Sequence, residues 1–96
     1  MFGRVVDNVL GDNYNHYLSC DQLPSQTYVE YVLASNQDLT TRIMSEGGEL
    51  GLGEDLNCEG TTDIIIYYGG HSQRVQIEKI LGGKKFLGIP VRFRNV

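Results

Sequence analysis

Apolar and polar positions divide the chain into three stretches. From Pro24 to Glu46, Val29, Val32, Leu33, Leu39 and Ile43 recur at helical spacing. Ser25, directly after Pro24, suits the cap of a first helix. Ser35-Asn36-Gln37-Asp38 interrupts the apolar face as a turn, and Asp38 suits the cap of a second helix over Leu39–Glu46. Gly47-Gly48 then stops it, since glycine accepts the left-handed cap and has poor helix propensity. Thr, Tyr and Val are frequent over 27–34, so a strand is the competing assignment there.

From Thr62 onward the pattern becomes strand-like. Ile64-Ile65-Ile66-Tyr67-Tyr68 reads as a strand buried on both faces, with one tyrosine turned to the core and the other outward. Val75, Ile77 and Leu81 share one face, broken by Lys79, and predict a strand over 74–81. Gly82-Gly83 marks a tight turn. Leu87, Ile89, Val91 and Phe93 form one face of a last strand, with Arg92 and Arg94 on the other. Pro90 has no N–H to give to a ladder, which places that strand at an edge. The expected C-terminus is therefore a three-stranded antiparallel meander, about 62–68, 74–81 and 86–94. One or two short helices from the 25–46 region cover one face. The whole is one small α+β domain over 1–96 with an antiparallel sheet. Residues 1–23 stay divided: Phe2, Val5, Val6, Val9 and Leu10 fit a short helix. Their valines together with a Gly11-Asp12-Asn13 turn fit a hairpin slightly better.

Composition narrows the class. With 96 residues, 41% hydrophobic and 21% charged, the chain suits a single globular domain. Its longest apolar run, Ile64–Tyr68, is far below the ~20 residues that cross a bilayer. The N-terminus does not read as an export leader, so a cytoplasmic, non-membrane protein is expected. For the same reason Cys20 and Cys58, which have no CxxC or CxxH spacing, are expected as buried free thiols. His16 precedes Cys20 by four residues, yet nothing in the sequence supplies the third group that a Cys–His nucleophile needs.

Charge is unevenly placed. Residues 1–69 carry eleven acids against Arg4 and Arg42, a net of −9, and residues 70–96 carry six bases against Glu78, a net of +5. Two electrostatic faces are expected. The densest segment, 45–63, holds Glu46, Glu49, Glu54, Asp55, Glu59 and Asp63 with no Lys or Arg. Its spacing does not fit the twelve-residue calcium loop. Paired carboxylates for acid–base chemistry are a low-specificity alternative, because any acidic loop offers two. A negative plate that docks on a basic surface is the preferred use, against the plainer one of a solvated loop. Tyr28 and Tyr31 would add aromatic anchors. The candidate partner-binding residues are thus Glu46, Glu49, Glu54, Asp55, Glu59, Tyr28 and Tyr31, with no catalytic residue, metal ligand or cofactor.

The opposite patch is Lys84, Lys85, Arg92 and Arg94, with Phe86 beside them. Such a patch can bind single-stranded nucleic acid, but bases on an edge strand also guard against aggregation. The net charge of −4 disfavours direct nucleic-acid binding. No phosphate-binding glycine loop, HExxH, GxSxG or zinc spacing occurs. The expectation is a small acidic, non-catalytic binding protein that docks on a larger protein or protein–nucleic acid complex. It would act as an inhibitor or adaptor that occludes a positively charged, nucleic-acid-binding surface. The rival is a self-assembling structural subunit, a homo-oligomer joining acidic and basic faces, and a small enzyme stands further off.

Overall fold

The computed structural model of the chain describes residues 12–96. Helix α1 (Gln26–Ser35) begins where Ser25 Oγ accepts the Tyr28 N–H at 3.1 Å. Helix α2 (Gln37–Ser45) follows after one residue. Asn36, not Asp38, stands between the two helices, and its side-chain amide donates to the Val32 carbonyl at 2.8 Å. The expected four-residue turn is thus one shared cap, because that amide satisfies an orphan carbonyl of α1. Val29, Val32 and Ile43 are buried, and Leu33 and Leu39 pack against them. The apolar face read from the sequence is the one the helices bury.

Among the described residues four strands form one sheet: β1 (Glu49–Leu52), β2 (Ile64–Tyr68), β3 (Lys85–Phe86) and β4 (Ile89–Asn95). Their order is β1-β2-β4-β3. β1 is antiparallel to β2 and β3 to β4, whereas β2 and β4 run parallel. Helix α3 (His71–Leu81) makes the crossover between the parallel strands. Ile64, Ile66, Tyr68, Val91 and Phe93 join the helical residues Val29, Val32, Ile43 and Ile77 in the core. The α+β class holds, and among the described residues three helices lie with a mixed sheet.

The expected meander does not. Residues 74–81 are helical, so 62–68 and 86–94 flank a crossover instead of two hairpins. Three forces favour the helix. Gln73 Oε1 accepts the N–H groups of both Gly69 and Gly70 at 2.9 Å, which caps its start. Arg74 and Ile77, three apart, are buried on one side. Gly82, at φ 78°, ends it in the left-handed conformation. The last segment is also not one strand. Leu87 (φ 50°) and Gly88 (φ 91°) form a two-residue turn between β3 and β4. β4 is therefore interior, and the two-residue β3 is the edge. Pro90 fits there because it pairs with Lys85 beyond the hydrogen-bonded Phe86–Ile89 pair that closes the turn, while the ladder to β2 starts at Val91.

Within 45–63, Glu49-Leu50-Gly51-Leu52 is a strand rather than loop. Tyr68 is buried and Tyr67 half-buried, as alternation requires. Tyr14 forms an isolated antiparallel bridge with Phe93, and Cys20–Gln22 is a short 3₁₀ turn. The first arm of the expected hairpin or helix, 1–11, lies outside the described residues. The two cysteines are paired, Cys20 with Cys58, which corrects the expectation of free thiols. The physical reason is convergence: the 57–60 turn and the 3₁₀ turn bring their Cα atoms to 5.4 Å. At a sequence separation of 38, the bond closes a long loop, worth about 3–4 kcal/mol by chain entropy.

Candidate functional site

Three features of the described residues offer chemistry. The first is a groove between the helical layer and β1, about 770 Å³ in volume. Leu33 from α1, Met44 from α2, and Leu50 and Leu52 from β1 give it an apolar lining. Glu30 and Glu49 supply its carboxylates, and no Lys or Arg lines it. Among the described residues β1 is an edge of the sheet, with no further strand beyond it to meet the helices that form the groove's other wall. Met44, 60% exposed, is a large apolar side chain left open beside it.

The second feature is a buried charge network on the opposite side of the sheet. Arg92 pairs in register with Ile65, so alternation turns it away from the core of Ile64 and Ile66. Its Nε donates to Asp63 Oδ2 at 2.6 Å. Its Nη1 and Nη2 donate to the two oxygens of Asp55 at 2.9 and 2.8 Å. Asp63 is fully buried and Arg92 4% exposed. His16 completes the group, with Nε2 2.7 Å from Asp63 Oδ2, while its Nδ1 accepts the Leu18 N–H at 2.9 Å. The tautomer with its proton on Nε2 satisfies both contacts. The Arg92 hydrogen bonds hold the Asp55 carboxyl below its ordinary value, and those of Asp55 and Asp63 raise the Arg92 guanidinium against the opposing effect of burial. Arg92, Asp63 and both ring nitrogens of His16 are bonded within this cluster, which ties β2 and β4 to the 54–56 turn and the 16–18 segment and so helps to hold the fold.

The third is a cluster at the start of α3. Asp12 Oδ1 lies 2.6 Å from His71 Nδ1, and Asp12 Oδ2 accepts the Tyr68 hydroxyl at 2.7 Å. Arg74 donates to the Asp12 carbonyl and pairs with Glu78 at 2.7 Å. Burial would raise the Asp12 carboxyl, but the Tyr68 and His71 hydrogen bonds and nearby positive charge outweigh it and bring it below its ordinary value. Burial and the bond to Asp12 push the Tyr68 phenol well above its usual range. A carboxylate-oriented imidazole is general-base geometry. No Ser, Thr or Cys side chain among the described residues is hydrogen-bonded to His71. The Cys–His pairing considered from the sequence is also absent: Cys20 is in the disulfide and His16 is turned to Asp63.

Glu46, Glu49, Glu54, Asp55, Glu59, Tyr28 and Tyr31 are all exposed, but they do not share one place. Glu49 lines the groove; the other four acids and both tyrosines do not. Asp55 faces the far side of the sheet, bound to Arg92 and 3.9 Å from Arg94. Glu46, Glu49, Glu54 and Glu59 form no ion pair with a described residue. Tyr28 and Tyr31 lie about 60° from each other around α1 at 100° per residue, on the side away from Glu30 and Leu33, with Tyr28 nearer the buried stripe and Tyr31 facing outward. Glu30, Leu33, Met44, Leu50 and Leu52 were missed. Only Leu50 and Leu52 had a signal in the sequence, the alternation Glu49-Leu50-Gly51-Leu52, which marks a short half-buried strand.

Of the four basic-patch residues, Arg92 is buried in ion pairs, Lys84 and Arg94 lie 3.6 and 3.9 Å from Glu78 and Asp55 at the surface, and Lys85 meets no carboxylate among the described residues. Among the described residues no group of three or more His, Cys, Asp or Glu could hold a metal ion, and no helix is long and apolar enough to cross a membrane. No family model matches the chain, and comparison with curated proteins and with solved structures returns no match.

Proposed function

We propose that this protein is a non-catalytic binding module that engages a cationic protein surface through the groove between α1, α2 and β1. The observation that carries the reading is the composition of that groove: an apolar floor with Glu30 and Glu49 and no base. Such a lining attracts Lys or Arg side chains and repels phosphates. An inhibitor or adaptor that covers a nucleic-acid-binding surface fits this chemistry. The acids of 54–59 play a lesser part in this reading, because Asp55 is already neutralised. Head-to-tail self-assembly is less favoured, since most of the bases it would use are paired within the chain. The Cys20–Cys58 disulfide favours work in an oxidising setting over the cytoplasm expected from the sequence.

Two variants of equal charge change test the reading. Glu30→Gln with Glu49→Gln removes the groove carboxylates, and Glu54→Gln with Glu59→Gln removes two exposed ones elsewhere. Titrated with a ten-residue oligolysine at low salt, the first variant should bind about fivefold more weakly than the second, as two rim charges allow. Equal binding by the two variants would contradict the reading.

A further inference from the structure

The edge of β1 tells how such a partner is held. Gly53 N–H donates to the Asp63 carbonyl at 3.1 Å, and the register Glu49↔Tyr67 to Leu52↔Ile64 continues to that pair. Bonded and non-bonded pairs alternate along an antiparallel ladder. Glu49–Tyr67 and Gly51–Ile65 are therefore the bonded pairs, and the N–H and C=O groups of Leu50 and Leu52 point away from β2. No described residue hydrogen-bonds to those outward groups. The side chains of Leu50 and Leu52 line the groove beside them.

We infer that the groove binds an extended segment of a partner protein, which adds to β1 as a fifth strand and carries Lys or Arg at alternate positions between apolar residues. The inference rests on the docking reading above and specifies its mode. Strand addition supplies the missing backbone partners of Leu50 and Leu52. Alternate side chains of the added strand then fall on opposite faces. One set meets the apolar floor of Leu33, Met44, Leu50 and Leu52. The other set lies on the face of Glu49, where the carboxylate selects a cation, while Glu30 stands across the groove on the α1 side, beside the apolar set. β1 is four residues long, so a segment of about six residues covers it.

The test uses a six-residue peptide alternating lysine and valine. A block peptide of the same composition and an alternating glutamate–valine peptide serve as controls. Binding is followed by backbone amide shifts of the full chain, and hydrogen exchange is read at Leu50 and Leu52. The alternating basic peptide should bind and slow exchange of both amides at least tenfold at saturation, and the controls should not. Leu52→Pro, which removes one outward donor, should weaken binding about tenfold. The exchange reading on the native chain stands even where that variant fails to fold. Binding that is sensitive to Glu30→Gln with Glu49→Gln but leaves the Leu50 and Leu52 amides unprotected would overturn strand addition and leave the docking reading intact. Binding indifferent to both glutamates, or none at millimolar peptide, would overturn both. Spermine reproducing the same shifts without amide protection would mark a small-cation site instead and would also overturn the inference.

Discussion

At the scale of single residues, the most constrained point is the meeting of Arg92, Asp63 and Gly53. Asp63 is fully buried and takes its charge partner from Arg92. Breaking one side of such a pair leaves a buried charge uncompensated, which costs about 3–5 kcal/mol. Arg92→Met should therefore lower unfolding free energy by about 3 kcal/mol in urea, and Arg92→Met with Asp63→Leu should recover part of it. A double variant no better than the single one would show that the ion pair is not the cause. Gly53 has an ordinary φ of −79°, so its need for glycine is spatial. A Cβ there would overlap Asp63 Oδ1 and stand 2.8 Å from Arg92 Nη2. Nothing in the Gly51-x-Gly53 pattern itself announces that an arginine on the last strand passes beside it.

The same cluster sets an acid dependence. Asp55 has a carboxyl held below its ordinary value of 3.8 by hydrogen bonds from Arg92. A group lowered on folding stabilises the native state above its unfolded value and loses that contribution as pH falls through its folded value. Stability should thus decline below about pH 4, and Asp55→Asn should flatten that acid limb. Its half-exposed position means water screens much of the effect. Urea midpoints from pH 6 down to 2 check this, and an unchanged limb in the variant would contradict it.

Among elements, legibility followed how strongly local signals agreed. Helices α1 and α2 were readable because Ser25, the apolar spacing and Gly47-Gly48 all pointed the same way. β2 was readable from its three isoleucines. Helix α3 was not, because Val75, Ile77 and Leu81 satisfy alternation, whereas around a helix Val75 falls about 160° from Ile77 and only Ile77 and Leu81 share a face. What decides is a cap from Gln73 and the parallel pairing of β2 with β4, and the second of these is a tertiary fact. The β3–β4 turn was hidden for another reason. It places Leu87 at φ 50°, where Asn, Asp or Gly is usual. Leu87 is 55% exposed and has little packing to lose. Leu87→Asn should raise stability by about 0.5–1 kcal/mol, read as a higher urea midpoint at unchanged slope. Destabilisation would mean that Leu87 contributes packing that outweighs its backbone cost.

For the molecule as a whole, part of the division into an acidic two-thirds and a basic third is internal. Asp12, Asp55 and Asp63 from the first part pair with His71, Arg74 and Arg92 from the second, so these charges serve in closing the fold. Among the remaining acids of the described residues, Glu30 and Glu49 line the apolar groove. The candidate site was half legible: Glu49 was named, but Glu30 and the leucines depend on α1 and β1 meeting across a groove, which residue spacing does not encode. The salt response should follow. Binding through two carboxylates weakens with ionic strength, yet the apolar floor should keep measurable affinity at 0.3 M salt. A loss of all binding there would point to bare charge attraction.

The most direct measurement is a crystal or solution structure of the full chain with the alternating lysine–valine peptide. The account predicts an ordered peptide hydrogen-bonded to Leu50 and Leu52, giving the strand order peptide-β1-β2-β4-β3 with a lysine at Glu49. A peptide seated on any other surface, or in the groove without backbone bonds to β1, would contradict it.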